Sequence, residues 1–136
     1  MTFHRNLSPI VHEYNIRSEP LTRELQVKDL GVTLLPSLNP ELHVRNICSR
    51  ANKMLGFVSR FSKGLSDTAL KTLYCALVRQ ILEYGSPVWN PHQKFLIEEL
   101  ESIQRRFLRM VGVRNGLPYR KVPIEEVSRD LPKRAC

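Results

Sequence analysis

The sequence predicts an α+β fold that is mostly α, in which short N-terminal antiparallel strands precede a three-helix bundle and a short C-terminal helix. Apolar residues alternate with polar ones up to residue 34, which is the period of a strand, and afterwards recur at the helical period. Gly and Pro residues separate the helical segments. We assign residues 1–36 to a strand segment, 37–112 to the bundle, and 113–136 to a loop, a short helix and a polar tail.

Three segments near the N-terminus have the strand pattern. Residues 10–16, 21–27 and 30–34 alternate apolar and polar side chains and contain β-branched and aromatic residues. Pro36 stops the pattern, because proline cannot donate a backbone hydrogen bond to a neighbouring strand. The pattern therefore predicts three short antiparallel strands.

The first helix is predicted to begin at Asn39-Pro40, because Asn is a good N-cap and Pro suits the first helical position. Its apolar residues fall within one arc of about 120°; they are Val44, Ile47, Ala51, Met54, Leu55, Val58 and Phe61. Four basic residues share the opposite arc, namely Arg45, Arg50, Lys53 and Arg60. Gly64 is expected to end the helix.

The second helix has a clear start. Ser66 is expected to cap it, while Leu65 and Leu70 have the spacing of a hydrophobic staple. Apolar residues cover roughly half of its circumference, so we expect this helix to be the central one, with neighbours on two sides. Gly85 is expected to terminate it.

Asn90-Pro91 repeats the Asn-Pro start and predicts a third helix through residues 95–111, closed by Gly112. Acidic residues crowd the first half of this helix and basic residues its end, an order that complements the helix dipole. A short fourth helix is expected after Pro123.

Trp89 lies at the corner between the second and third helices, directly before Asn90. We expect its ring to be an apolar plug under this corner, with an indole N–H that needs an acceptor. Four other aromatic residues, Phe57, Phe61, Phe95 and Tyr119, are candidates for base stacking, but core or loop packing is at least as good an interpretation.

The net charge of +8 is concentrated in two segments. Residues 40–64 carry five basic residues and one acidic residue, and residues 94–121 carry seven and three. If the first and third helices pack side by side on the second, their basic faces form one surface for a polyanion, either a nucleic acid or a membrane surface. Solvated helix faces are the alternative. The candidate binding residues are Arg45, Arg50, Lys53, Arg60, Lys63, Arg105, Arg106, Arg109 and Arg114.

The sequence predicts no catalytic, metal or cofactor site and no small-molecule ligand. The histidines are scattered, the three aspartates are not adjacent to another acid, and no Gly-rich loop suits a phosphate. Cys48 and Cys75 fall in helical patterns and are expected to be free thiols in a reducing compartment. No apolar run approaches the ~20 residues of a membrane span, and the N-terminus lacks a signal-peptide core. We therefore expect an intracellular protein, cytoplasmic or nuclear.

Several short motifs carry a family resemblance that extends over nearly the whole chain. They are Lys28-Asp29-Leu30-Gly31-Val32, Leu55-Gly56, Leu73-Tyr74, Leu77-Val78, Tyr84-Gly85, Val88-Trp89, Leu100-Glu101, Gln104 and Leu108-Arg109. In this order and spacing, the chain resembles the region just after the palm in reverse transcriptases of non-long-terminal-repeat retrotransposons, the jockey-like LINE elements. In such proteins a KDLGV strand ends the palm and the thumb helices follow.

The resemblance implies the end of the palm and the thumb of an RNA-directed DNA polymerase. Such a segment would grip the backbone of an RNA or RNA–DNA template–primer, and the rest of a reverse transcriptase would be a further partner. It would not be an enzyme on its own, because the family's paired palm aspartates, which hold two metal ions, have no counterpart in this sequence. Two alternatives stay open: a helical module that binds an acidic protein, and a non-functional remnant of a mobile element.

Overall fold

The computed structural model describes Phe3 and residues 12–119. Four strands come first: β1 (Asn15–Ile16), β2 (Glu19–Pro20), β3 (Val27–Asp29) and β4 (Val32–Leu34). The helical part comprises α1 (Glu41–Phe61), α2 (Asp67–Leu73), a π-helical segment (Tyr74–Arg79), α3 (Gln80–Glu83), α4 (Ser86–Trp89) and α5 (Lys94–Arg114). The α2, π-helical and α3 segments are contiguous and form one second helix over residues 67–83. The predicted α+β, mostly helical class is confirmed.

The strands form two separate antiparallel hairpins, β1–β2 and β3–β4. Each hairpin has a two-residue turn in which both residues have positive φ: Arg17 and Ser18 (52° and 69°), and Leu30 and Gly31 (44° and 84°). Two consecutive positive φ values define the turn whose twist matches that of paired strands. The KDLGV motif therefore reverses the chain at its Leu-Gly step.

The strand prediction was only partly correct, because the structure has four shorter strands where the sequence predicts three. Residues 21–26 form no strand, although their side chains alternate. Leu21 and Leu25 are exposed, so the apolar side of this segment is not covered and alternation alone does not make it pair. Residues 10 and 11 of the first predicted strand lie outside the described residues.

The start of α1 agrees with the Asn-Pro prediction to within one residue. The Asn39 side-chain oxygen accepts a hydrogen bond from the Glu41 N–H at 3.1 Å, and the Pro40 carbonyl accepts from Val44 at 2.9 Å. The helix ends at Phe61, and the chain passes through Gly64 at φ +85° before the second helix begins.

The predicted cap of the second helix is confirmed. The Ser66 hydroxyl oxygen accepts from the Ala69 N–H at 3.2 Å, Leu70 is fully buried, and Leu65 packs partly buried against the core. By backbone proximity, however, the central helix is α1, which packs against α5, the π-helical segment, α3 and β4. The second helix reaches α5 through side chains, since the Tyr74 ring stacks on Phe107 at 4.2 Å between centroids.

The third helix does not begin at Asn90-Pro91 as predicted; α5 begins at Lys94. Asn90 has φ −49° and ψ 115° and ends the one-turn helix before it, instead of capping the helix that follows. The preceding residues instead form the one-turn helix α4.

Gly112 does not end α5, which continues to Arg114. The helix closes at Gly116, which has φ +81°. The Leu117 N–H donates to the Gly112 carbonyl at 3.0 Å, and the Gly116 N–H donates to the Val113 carbonyl at 3.1 Å. These two bonds form the Schellman arrangement. It requires a left-handed backbone conformation at the residue four positions after Gly112, which is Gly116. The short helix expected after Pro123 lies outside the described residues.

The expected role of Trp89 is confirmed. Its side chain is only 5% exposed, and its indole N–H donates to the Tyr84 carbonyl at 2.8 Å. The Tyr84 hydroxyl in turn donates to the Leu30 carbonyl at 2.9 Å, so the corner is tied to the β3–β4 hairpin. Gly85 has φ +65°, and a side chain there would lie 3.2 Å from Val32.

The core runs along the seam between the three long helices and includes one strand residue, Val32. Its largest fully buried side chains are Leu70, Leu96, Leu100, Ile103, Leu108, Val44, Val58, Val78 and Cys48. Within the described residues, no helix combines the length and apolar character needed to cross a membrane.

Candidate nucleic-acid interface

The helices α1 and α5 pack side by side and run in the same direction. Arg106 of α5 donates to the Asn52 side-chain oxygen of α1 at 3.4 Å, and Arg114 donates to the Ser62 carbonyl at 3.0 Å. Since residue numbers rise together along both helices, they are parallel, and their basic C-terminal halves lie beside each other. The sequence interpretation expected one basic surface if the first and third helices pack side by side on the second, and the structure brings α1 and α5 into direct contact.

Five predicted basic residues make up what we call the basic face: Lys53, Arg60, Lys63, Arg106 and Arg109. Asn52 of α1 and Arg106 of α5 lie at the seam between the two helices. At 100° per residue, the side chains of Lys53 and Arg60 on α1 point away from this seam toward solvent, and so does that of Arg109 on α5. The first four are exposed, while Arg109 is half-buried with its guanidinium carbon 5.3 Å from the centre of the Tyr119 ring. Both helices therefore contribute cations to one side of the molecule.

Of the other four predicted residues, Arg50 is exposed on α1, while Arg45, Arg105 and Arg114 have local partners. Arg45 pairs with Glu41 at 2.7 Å, and Arg105 lies 3.4 Å from a Glu101 oxygen while donating to the Glu98 carbonyl at 3.2 Å. Exposed pairs one helical turn apart are weak and leave their cations accessible.

Arg114 has a structural role. Its guanidinium donates to the carbonyls of Ser62 and Leu65, which follow the end of α1. The next residue, Asn115, donates from its side chain to Asp67 at 2.8 Å. The end of α5 thus holds the turn between α1 and the second helix, and the exposed Arg114 side chain is engaged in this contact.

Helix polarity contributes to the clustering of cations. Arg60 lies in the last turn of α1 and Arg114 in the last turn of α5, where the carbonyl ends of the helices attract positive charge. The N-terminal half of α5 instead carries Glu98, Glu99 and Glu101. A polyanion is therefore favoured at one end of the α1–α5 pair and repelled at the other.

Two aromatic side chains lie exposed beside the basic face. Phe57 is 45% and Phe61 60% exposed, with ring centroids 4.5 Å apart and an angle of 42° between the rings. The interpretation of Phe61 as part of the buried stripe was wrong. Phe61 is separated by about 80° from the buried Ala51 on the helical projection, at the edge of the predicted arc. Phe95 and Tyr119 are exposed as well.

His43 is a buried polar residue that the sequence analysis did not single out. Its Nδ1 accepts from the Thr33 N–H at 3.1 Å, its ring lies 5.4 Å from Trp89, and Nε2 has no partner in the described structure. Burial lowers the pKa of His43, and the charge of Arg50 lowers it further, so the ring is neutral at pH 7. The only sequence signal is its position directly before Val44, beside the apolar stripe.

The described residues contain no group of three His, Cys, Asp or Glu side chains placed to hold a metal. A shallow crevice between the second helix and α5 holds the Arg79–Glu83 pair, whose 2.6 Å contact raises the pKa of Arg79. Cys48 is buried and Cys75 half-buried, and neither takes part in a disulfide.

Comparison with known proteins does not place the chain in a family. No family model, no curated protein and no solved structure matches it. The expected resemblance to reverse transcriptases therefore rests on the sequence motifs alone.

Proposed function

We propose that this chain is a thumb-like segment of a retrotransposon-type reverse transcriptase that binds the backbone of RNA or an RNA–DNA duplex and has no catalytic activity of its own. The observation that carries the proposal is the parallel contact between α1 and α5. This contact collects cations from two helices on the basic face. The motif resemblance independently implies the same role.

Backbone binding is the chemistry that this surface suits. Arg and Lys side chains neutralise phosphates without needing base-specific geometry, and they release counterions as they do so. If all five cations of the basic face contact phosphates, the logarithm of affinity should fall with that of salt concentration with a slope of about −4.5. Raising salt from about 50 to 200 mM should then weaken binding several-hundred-fold.

The proposal is tested by fluorescence anisotropy of a labelled RNA–DNA duplex across a salt series. The test variant carries Lys53→Glu and Arg106→Glu, one change on each helix of the basic face. The matched control carries Arg17→Glu and Lys28→Glu on the N-terminal hairpins. Each pair of changes alters the net charge by −4, from +8 to +4. All four side chains are exposed, so circular dichroism should show the same helix content in both.

We expect the test variant to lose most of its affinity and about two units of salt slope, because two phosphate contacts are lost. The control should retain the slope of the unchanged protein. Equal losses in both variants would show that net charge alone drives binding. An absence of duplex binding, together with salt-dependent capture of an acidic peptide, would replace the proposal with a protein-interaction module.

A further inference from the structure

The exposed aromatic pair on α1 is unusual for its setting. Phe57 and Phe61 lie one helical turn apart with about half of each side chain in water. Their rings contact each other at 4.5 Å but remain open on their outer sides. Contiguous exposed apolar surface on a folded chain commonly marks a binding site.

The surroundings of this pair are cationic. Arg50, Lys53 and Arg60 are seven, four and three residues from Phe57, the spacings that place side chains on one helix face. All three are exposed, and residues 42–64 contain no acidic residue. An apolar platform is therefore bordered by positive charge, and it adjoins the basic face through Lys53 and Arg60.

We infer that the Phe57–Phe61 pair, with Arg50, Lys53 and Arg60, is a stacking platform for single-stranded nucleic acid. A duplex hides the faces of its bases, whereas an unpaired strand presents bases that stack on aromatic rings while cations hold its phosphates. The ring centroids are 4.5 Å apart and both rings are open on their outer sides, so each ring offers a surface on which a base can stack. The inference rests on the proposed nucleic-acid function and specifies which strand state this part of the surface recognises.

The chain contains a matched control for the platform. Phe95 on α5 is 50% exposed, similar to Phe57, but Glu98 and Glu99 are its neighbours at three and four residues. Those carboxylates repel phosphate, so this exposed ring should not contribute to binding a strand. Removing Phe95 therefore tests the loss of an exposed ring without loss of the platform.

The experiment measures binding of an unstructured oligouridine of about 15 nucleotides, in the range of site sizes of single-strand binders. The Phe57→Ala, Phe61→Ala variant should bind it at least fivefold, and up to about 100-fold, more weakly for each ring that stacks. Phe95→Ala should bind as the unchanged protein does. Replacing both phenylalanines with Trp should restore affinity, since the stacking surface returns without a change of charge. Helix content by circular dichroism should be the same in all variants.

The RNA–DNA duplex from the preceding test separates this inference from the proposed function. Loss of oligouridine binding with duplex binding retained supports the platform. The unchanged protein could also bind oligouridine but not the duplex. In that case a loss of oligouridine binding by the double alanine variant still supports the platform, and only the proposed duplex binding fails. Unchanged oligouridine binding by the double alanine variant overturns the inference. It is equally overturned if the variant loses binding to phosphatidylserine vesicles and not to oligouridine, because the platform would then be a lipid contact.

Discussion

Removing the Trp89 side chain should destabilise the fold more than most single changes in this chain. The indole fills the corner between the second helix and α5, contacts His43 and donates to the Tyr84 carbonyl at 2.8 Å. A buried Trp→Ala change costs about 3–5 kcal/mol, out of a total of about 5–15 kcal/mol for a domain. For a chain of this length we expect the melting temperature to fall by about 12–20 °C.

The contributions of packing and of the hydrogen bond can be separated. Trp89→Phe keeps much of the apolar volume but leaves the Tyr84 carbonyl without its donor, so it should cost about 1–3 kcal/mol. Urea unfolding followed by far-ultraviolet circular dichroism measures both variants, since neither retains a Trp for fluorescence. Phe95→Ala is the surface control and should change stability by no more than about 0.5 kcal/mol. If Trp89→Ala lowers the free energy of unfolding by less than about 1 kcal/mol, the interpretation of Trp89 as a buried plug is refuted.

Two further predictions concern glycines, and a third concerns a histidine. Gly56→Ala should stabilise the protein by about 0.5–1 kcal/mol, because this mid-helix position has open space for a methyl group. Gly85→Ala should instead destabilise it by about 1–2 kcal/mol, because φ is +65° and Val32 is 3.2 Å away. A lower denaturation midpoint for Gly56→Ala, or a higher one for Gly85→Ala, would contradict the respective prediction. The folded-state pKa of His43 is lowered below 6.5, so the unfolded chain binds the proton more readily and stability should decrease as pH falls below 6.5. His43→Gln should reduce this pH dependence, and an unaltered stability profile between pH 7.5 and 5.5 would count against the buried neutral ring.

Features that depend on neighbouring residues were predictable from the sequence. The Ser66 cap, the Asn39 start and the burial of Trp89 follow from residue types and spacing within a few positions. The direct contact of two basic helices was not predictable. It depends on how three apolar faces pack, and periodicity shows only that each helix has such a face.

The errors in the sequence interpretation have related causes. The hydrogen bond of Arg114 was not predictable, because its carbonyl partner, Ser62, is 52 positions away. Asn90-Pro91 has the local signature of a helix start, yet the corner packing around Trp89 begins the helix later, at Lys94. Phe61 lies at the margin of the apolar arc, where the helical projection does not decide between core and solvent.

The hydrogen bond from the Tyr84 hydroxyl to the Leu30 carbonyl has a mechanical consequence. Together with the burial of Val32 in the core and the hydrogen bond from the Thr33 N–H to His43, it attaches the turn and strand β4 of this hairpin to the bundle at three points. Such an attachment restricts rotation of the hairpin relative to the helices. The Leu30 side chain at its tip is 83% exposed. A contact made at this exposed tip would therefore constrain the orientation of the whole bundle and not only that of the hairpin.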